Sequence, residues 1–335
     1  MLPASTSITS LFSPSEVDVA TERVTRVKCR DDSFQPGKER FEIKLTPPGA
    51  SMVHLGKSTL NVKFHIVDKD GAKTCPEVST LVDKTVDGKT VKERKITQKA
   101  SNVALLNHAL YNIWESCDLL VENKSVYSTR DKTYGLRNYI KTLRSLEHGD
   151  ESILPQGFYL DRNMTVDSTG DVLYGSNSGL SARADWTADG QSMCLVGPIN
   201  IGFTDVDSVL PPAVKSKLIL KLAEHSYTLL SNEPSKKYKI YIEDIWVDLL
   251  CVYVTESCML GILDTLKSTP ANFNHIATEL KSFDCGSGIQ SISRFKVFEG
   301  QLPKTIYFMM LDQTNNRGSY STNPLLFKVG NITNH

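Results

Sequence analysis

Short runs in which apolar and polar residues alternate recur along this chain of 335 residues. Two such runs lie at 41–45 and 60–66, and turn-forming residues follow them at 47–49 and 70–71. Because successive side chains of a β-strand point to opposite faces of a sheet, an alternation with a period of two predicts strands with one buried face. Pro-Gly and Asp-Gly sequences end such strands and turn the chain. The beginning of the chain therefore predicts short, half-buried strands.

The rest of the chain continues this pattern and shows helical spacing at one place. A strand, a turn and a second strand are predicted over 119–126, whereas 104–114 is compatible with either a strand or a short helix. Apolar residues at helical spacing predict a helix at 134–146, and 258–266 is compatible with a short helix. Further strands are predicted at 193–199, 214–222, 227–230, 238–254, 278–283, 294–298 and 304–311.

Many short strands separated by turns, with one or two helices in each half, predict an all-β protein made of two tandem β-sandwiches. We predict a first sandwich at 36–190, a second sandwich at 191–330 and a short C-terminal tail at 331–335. These lengths are within the usual range for single domains.

Three polar segments are predicted to lie at the surface. Residues 1–35 are rich in Ser, Thr and Asp, with isolated apolar residues, and predict an extended N-terminal arm that docks on a partner surface during assembly. The charged segment 74–99 predicts a protruding loop or an exposed hairpin. The loop-rich segment 152–190 predicts a long surface excursion.

Charge and hydropathy exclude several classes of function. The chain has 38 Lys and Arg residues against 38 Asp and Glu residues, and so lacks a broad positive field for strong nucleic-acid binding. No apolar run approaches the roughly 20 residues of a membrane-spanning helix, and the N-terminus does not show the pattern of a signal peptide. Seven cysteines without a C-x-x-C pair argue against a disulfide framework and a zinc site. We therefore expect synthesis in the cytosol or nucleus.

The sequence contains no motif that predicts an enzyme. The nucleophile-elbow, zinc-protease, P-loop and dinucleotide-binding motifs are all missing, and the seven histidines are not at metal-ligand spacing. His65 is predicted to face solvent from the polar side of a strand, and His108 and His225 are predicted to be structural. We therefore predict no catalytic residue, no metal ligand and no cofactor.

Two further groups of residues are interpreted as structural rather than as reactive or metal-binding sites. The sequence CGSG at 285–288 has no neighbouring base that would activate the cysteine, and a turn is the better interpretation. The carboxylates lack the spacing of a calcium loop and are predicted to be solvated loop acids. They are Asp161, Asp167, Asp171, Asp205 and Asp207.

Ordered motifs over most of the chain resemble one family. They include LF at 11–12 with Pro14, HLGKSTLNV at 54–62, and LRNYI at 136–140 within the predicted helix. The sharpest match is FEGQLPK at 298–304, followed by GSY at 318–320 and NPLLF at 323–327. With these motifs the chain resembles the hexon-like, double-jelly-roll major capsid proteins of adintoviruses, adomaviruses and Polinton-type DNA viruses.

The resemblance implies a structural protein in which each subunit contributes two jelly rolls. A homotrimer would form a pseudo-hexagonal capsomer of an icosahedral shell, with neighbouring capsomers, a vertex (penton) protein and minor capsid proteins as partners. It also implies that the protein is located in the virion capsid, with assembly in the nucleus. A domesticated genomic copy with another role is an alternative.

Two other functions are compatible with a β-sandwich. A glycan-binding jelly roll would need clustered aromatic and polar side chains, and the three tryptophans, Trp114, Trp186 and Trp246, are spread over both halves of the chain. An enzyme on a cupin-like barrel would need a set of His and Glu metal ligands, which the histidine spacing does not provide.

Overall fold

The computed structural model describes residues 21–71, 78–86, 89–98, 103–146, 151–161, 177–205, 207–212, 214–231, 234–273, 275, 278–286, 297–298 and 302–328. The described strands are β1 (Thr21–Arg30), β2 (Arg40–Leu45), β3 (Met52–Val67), β4 (Val78–Val86), β5 (Lys89–Gln98), β6 (Val103–Leu105), β7 (Trp114–Val121), β8 (Lys124–Ser128), β9 (Met193–Pro198), β10 (Ser216–Leu222), β11 (Leu229–Ser231), β12 (Lys239–Val254), β13 (Met310–Leu311) and β14 (Phe327–Lys328). The described helices are α1 (Ala109–Asn112), α2 (Thr133–Ser145), α3 (Ser178–Trp186), α4 (His225–Thr228), α5 (Glu256–Ser268) and α6 (Gln313–Arg317).

Eight of these strands form two four-stranded antiparallel sheets. Sheet 1 has the order β1-β12-β3-β9, and sheet 2 has the order β2-β10-β7-β8. In chain order among the eight, sheet 1 joins the first, eighth, third and sixth strands, and sheet 2 joins the second, seventh, fourth and fifth. This connectivity is that of a jelly roll, in which the chain folds back on itself as paired Greek keys. The predicted all-β class with a few short helices is confirmed.

The strand pairing crosses the predicted domain boundary at residue 190. Strand β12 lies between β1 and β3, and β10 lies between β2 and β7, so strands from both sides of the boundary share each sheet. The predicted domains 36–190 and 191–330 therefore do not correspond to two separate sheet pairs, because the described strands complete one jelly roll over 21–254. Among the described residues after 254, only α5, α6, β13 and β14 have regular structure.

The alternation in the sequence places the core between the two sheets. Phe41, Ile43 and Leu45 of β2 are completely buried, and the inward apolar side chains of β3 and β10 are at most 7% exposed. Each such side chain contributes roughly 1.5–3 kcal/mol when it leaves water. The core of the sandwich is therefore the direct product of the period-two pattern.

A β-bulge keeps the long strand β12 in register with this core. Its pairing with β3 shifts between Ile242 and Asp244, which inserts one extra residue into the strand. The inward apolar positions are therefore 240 and 242 before the bulge and 245, 247 and 249 after it, and all are buried. The bulge also turns Glu243 and Asp244 toward the solvent side of sheet 1.

The helices differ in how well they were predicted. Helix α2 confirms the prediction at 134–146, and its Gly135 lies against α1: a Cβ on Gly135 would be 2.7 Å from the Cα of Asn112. Helix α5 confirms the prediction at 258–266. The ambiguous segment 104–114 begins with β6 and continues into α1.

Several strand predictions are confirmed and others are wrong. Strands are observed at the predicted positions 41–45, 60–66, 119–126, 193–199, 214–222 and 238–254, whereas 227–230 is divided between α4 and β11. Residues 278–283 and 304–309 have no regular structure, because no neighbouring strand lies beside them within the described part of the chain. Most of the predicted strand 294–298 lies outside the described residues.

The predicted surface segments also have mixed outcomes. Residues 21–30 of the predicted arm form strand β1 on the edge of sheet 1, while residues 1–20 and the tail at 331–335 lie outside the described residues. The prediction of a hairpin within 74–99 is confirmed by the antiparallel pairing of β4 and β5. The excursion at 152–190 is partly wrong, because α3 packs Leu180 and Ala184 into a second buried cluster.

Candidate interaction surface

The possible metal ligands and membrane-spanning helices of the described residues come first. Across those parts of the chain that the structure describes, no group of three His, Cys, Asp or Glu side chains is placed to hold a metal ion. None of the helices within the same residues is both long and apolar enough to cross a bilayer.

The three histidines that were considered in the sequence lie in separate environments. His65 lies on the outer side of sheet 1, with Nδ1 2.7 Å from Oε1 of Glu243. His108 is completely buried, contacts Tyr111 and Phe158 edge-on, and donates a hydrogen bond from Nε2 to Oε1 of Gln156 at 3.1 Å. Burial lowers the pKa of His108 to about 4 and also lowers the pKa of His225.

The prediction that Asp161 is a solvated loop acid is wrong. Asp161 forms an ion pair with Arg183 at 3.1 Å, and both side chains are 1% exposed. Asn107 donates a further hydrogen bond to Asp161 at 3.0 Å, and Arg183 donates to the carbonyl of Leu105 at 2.9 Å. A buried charge requires this kind of pairing, so the pair fixes α3 against the end of β6.

The other predicted loop acids and the cysteine loop are not brought together. Asp205 pairs with Lys141 at 2.8 Å, and Asp207 is largely exposed and contacts His54 at 2.7 Å. The hydrogen bond from His54 lowers the pKa of Asp207. Cys285 is exposed. Asp167, Asp171 and residues 287–288 lie outside the described residues.

An open groove of about 530 Å³ lies on the outer side of sheet 1 at the bulge of β12. Its charged side chains are mutually paired, Lys63 with Glu243 at 2.8 Å and Arg30 with Asp244 at 2.7 Å. Burial by itself raises the pKa of Glu243, but hydrogen bonds from Lys63, Ser192 and His65 outweigh it and lower the pKa to about 2. The negative charges of Glu243 and Asp244 are therefore already balanced by the neighbouring cations Lys63 and Arg30.

The tryptophans do not form a glycan platform. Trp114 is completely buried, whereas Trp186 packs edge-on against Tyr159 with ring centroids 4.8 Å apart. Trp246 lies on the outer side of sheet 1, where the ammonium of Lys28 is 3.6 Å from its ring centroid. Trp114 thus lies in the core, Trp186 contacts Tyr159, and Trp246 lies on the charged outer face of sheet 1.

The most unusual surface is the segment 302–310, whose large apolar side chains are exposed. Leu302 is 96% exposed and Phe308 is 78% exposed. Ile306, Tyr307, Met309 and Met310 are each exposed by at least 39%. Monomeric proteins rarely expose contiguous apolar surface of this kind unless it serves in an interaction.

This exposed segment is followed by residues that are fixed to the jelly roll. The hydroxyl of Tyr320 donates to the carbonyl of Tyr238 at 2.7 Å, and Leu325 is completely buried. Residues 302–310 are therefore joined on their C-terminal side to an anchored stretch of chain, while their own apolar side chains face solvent.

Sequence reasoning located these residues but assigned them to a strand, not to a surface. The consecutive apolar run at 306–311 does not distinguish the two, because a run without alternation is also compatible with a fully buried strand. The motif FEGQLPK at 298–304 leads directly into this run. Residues 299–301 of the motif lie outside the described residues, whereas the described Leu302, Pro303 and Lys304 are exposed.

Comparison with known proteins gives structural neighbours only. No family model matches the chain, and no curated protein matches it in sequence. A cryo-EM structure of the Sputnik virophage is similar at 11% identity and a TM-score of 0.45, over 76% of this chain and 53% of that chain. The mavirus major capsid protein is similar at 10% identity and a TM-score of 0.37, over 76% of this chain and 52% of that chain.

The Faustovirus major capsid protein is similar at 8% identity and a TM-score of 0.35, over 74% of this chain and 57% of that chain. The chain thus spans about half the length of the solved chains that it matches. Because these TM-scores are below 0.5, we base the proposal that follows on the residues of this chain.

Proposed function

We propose that this chain is a structural subunit of a viral capsid and that it functions by self-association. The observation that carries the proposal is the exposed apolar segment 302–310, which is joined on its C-terminal side to residues anchored on the jelly roll. The capsid-like motif at 298–304 overlaps the beginning of this segment, so the sequence resemblance and the exposed surface support the same interpretation.

The composition of the segment supports a protein interface. Tyr307, Phe308, Met309 and Met310 are residue types that are enriched where proteins contact each other. The guanidinium of Arg144 lies 4.5 Å from the ring centroid of Tyr307, so one face of that ring is already covered. The side chain of Phe308 has no comparable ring contact within the described residues and would lose the most water on association.

The finer expectations from the sequence resemblance belong to the same proposal. The partners are other copies of this chain in a homotrimeric capsomer, neighbouring capsomers, a vertex protein and minor capsid proteins. The protein acts in the virion capsid, after synthesis in the cytosol and assembly in the nucleus. The β4–β5 hairpin and the segment 152–190 form outer or inter-subunit contacts. The role is structural, without a catalytic residue, a metal or a cofactor.

Sedimentation velocity over a range of protein concentrations tests the interface. We expect the wild-type chain to associate and the double variant Leu302→Ser/Phe308→Ser to remain monomeric, because it removes the two most exposed apolar side chains. The matched control is Val24→Ser on β1, an apolar side chain that is 52% exposed elsewhere. Equal association of the double variant and the wild-type chain would exclude this segment as the interface.

A further inference from the structure

Helix α5 presents an apolar face that the described residues do not cover. Of its 13 residues, only Met259 is buried. Leu260 is 61% exposed and Leu263 is 41% exposed, and their spacing of three residues places them on the same side of the helix. A short helix with this little burial gains little stability from packing, and its own propensity is marginal in water.

Strand β1 begins beside the start of this helix. Thr21, the first residue of β1, pairs with Val254, the last residue of β12. Thr255 follows as the N-cap of α5, so residue 20 and the first turn of the helix begin at the same end of sheet 1. Twenty residues precede Thr21, which at about 3.3 Å per residue is ample to run the length of α5.

We propose that residues 11–19 of this chain cover the Leu260 and Leu263 face of its own α5. Val17 and Val19 alternate and would continue the apolar pattern of an extended segment, and Leu11 and Phe12 supply further apolar side chains. The polypeptide that precedes β1 is thereby an intramolecular cover for the helix that follows β12.

The spacing of residues fixes which side chains meet. An extended segment that runs along the helix from Thr21 places Val19 about 7 Å from its start, at about 3.3 Å per residue. Leu260 lies about 6 Å from the start of α5, at about 1.5 Å per residue. This alignment brings Val19 level with Leu260.

Disulfide trapping tests the proposed contact. The variant Val19→Cys/Leu260→Cys, with Cys75, Cys194, Cys258 and Cys285 replaced by Ser, is oxidised and run on a non-reducing gel. The matched control is Val19→Cys/Leu302→Cys with the same replacements, since Leu302 is an exposed leucine far along the chain. We expect an intramolecular cross-link that forms at least about tenfold faster in the first variant than in the control. Equal rates, or a cross-link that joins two chains, would overturn the proposal.

Hydrogen exchange of the chain without new cysteines provides an independent test. We expect the α5 amides of Val17→Ser/Val19→Ser to exchange about tenfold faster than those of the wild-type chain, because an uncovered helix opens more easily. The amides of α2 serve as the internal reference and should not change. Unchanged exchange of α5 would contradict the proposal even if both proteins fold equally well.

Discussion

Helices α2 and α5 each have 13 residues and both lie where the sequence indicated a helix, but they differ in how much of their surface is buried. Helix α2 buries six residues, and the hydroxyl of its Tyr134 donates to the carbonyl of Ile199 inside the jelly roll. Helix α5 buries one residue and follows the last strand of the sandwich. The comparison shows that amphipathic spacing predicts a helix but not whether the folded monomer covers its apolar face.

The same contrast separates the jelly roll from the residues after it. Up to Val254, nearly every predicted strand has a hydrogen-bonded neighbour, and the inward side chains are buried. After Ser268, the segments 278–283 and 302–309 have apolar residues but no neighbouring strand within the described residues. We interpret the residues up to Val254 as the folded body and those after Ser268 as a region that contacts other proteins.

The largest effect is expected from the buried ion pair of helix α3, compared with the exposed ion pair of helix α5. Arg183→Leu leaves Asp161 buried without its partner and should lower the free energy of unfolding by about 3–5 kcal/mol. The control is Lys267→Leu, whose ion pair with Asp264 is exposed and should contribute less than about 0.5 kcal/mol. Urea unfolding measures both values. Similar losses in the two variants would remove the distinction between packed and uncovered helices.

The second largest effect is a dependence of stability on pH, which we attribute to His108 at the start of α1. Because burial lowers the pKa of His108 to about 4, the unfolded chain takes up a proton below about pH 6.5, whereas the folded chain does so only near pH 4. Stability is therefore fully present above pH 6.5 and falls as the pH drops toward 4, by at most about 1.4 kcal/mol per pH unit for this one proton.

Urea unfolding between pH 7 and pH 4 checks this with His108→Asn, because Asn tolerates the positive φ of 54° at that position. We expect the variant to have a smaller slope of stability against pH, while the lowered pKa of His225 leaves part of the slope in place. The control His275→Asn replaces an exposed histidine and should keep the wild-type slope. A wild-type slope in His108→Asn would contradict the assignment.

The smallest effects are expected at one glycine in each of the two compared helices. Gly135→Ala should lower the stability by about 1–3 kcal/mol, because its Cβ would be 2.7 Å from the Cα of Asn112 and 2.8 Å from the carbonyl oxygen of Tyr111. A Cβ on Gly261 of α5 meets nothing within 4 Å, and Gly261→Ala should raise the stability by up to about 1 kcal/mol through helix propensity. Thermal unfolding of both variants measures the two changes in stability. If both substitutions stabilised the protein, or both destabilised it, the contrast between the packed helix α2 and the exposed helix α5 would be contradicted.

Local sequence patterns predict the strands of the sandwich well, for a physical reason. The alternation at 41–45 and 60–66 reports which side of a strand is buried, and those inward residues are buried in the structure. The pattern does not report which strand lies next to which. The boundary at 190 does not separate two sheet pairs, because β12 pairs with both β1 and β3. The paired residues Asp248 and Thr59, for example, are more than 170 residues apart in the chain.

The candidate surface was predictable in position but not in exposure. The run at 306–311 resembles a buried strand in sequence, and only the fold shows that no neighbouring strand covers 302–309 within the described residues. Asp161 shows the opposite error, since a polar loop residue becomes buried once Arg183, 22 residues away, reaches it. In both cases the outcome depends on a partner that is distant in sequence.

Light scattering combined with electron microscopy of the purified chain tests the central claim most directly. The account predicts discrete oligomers of the 37.2 kDa chain that assemble into regular plates or shells, with a mass that gives the number of copies in each capsomer. A protein that stays monomeric at high concentration, with only isolated particles in the images, would contradict a capsid subunit.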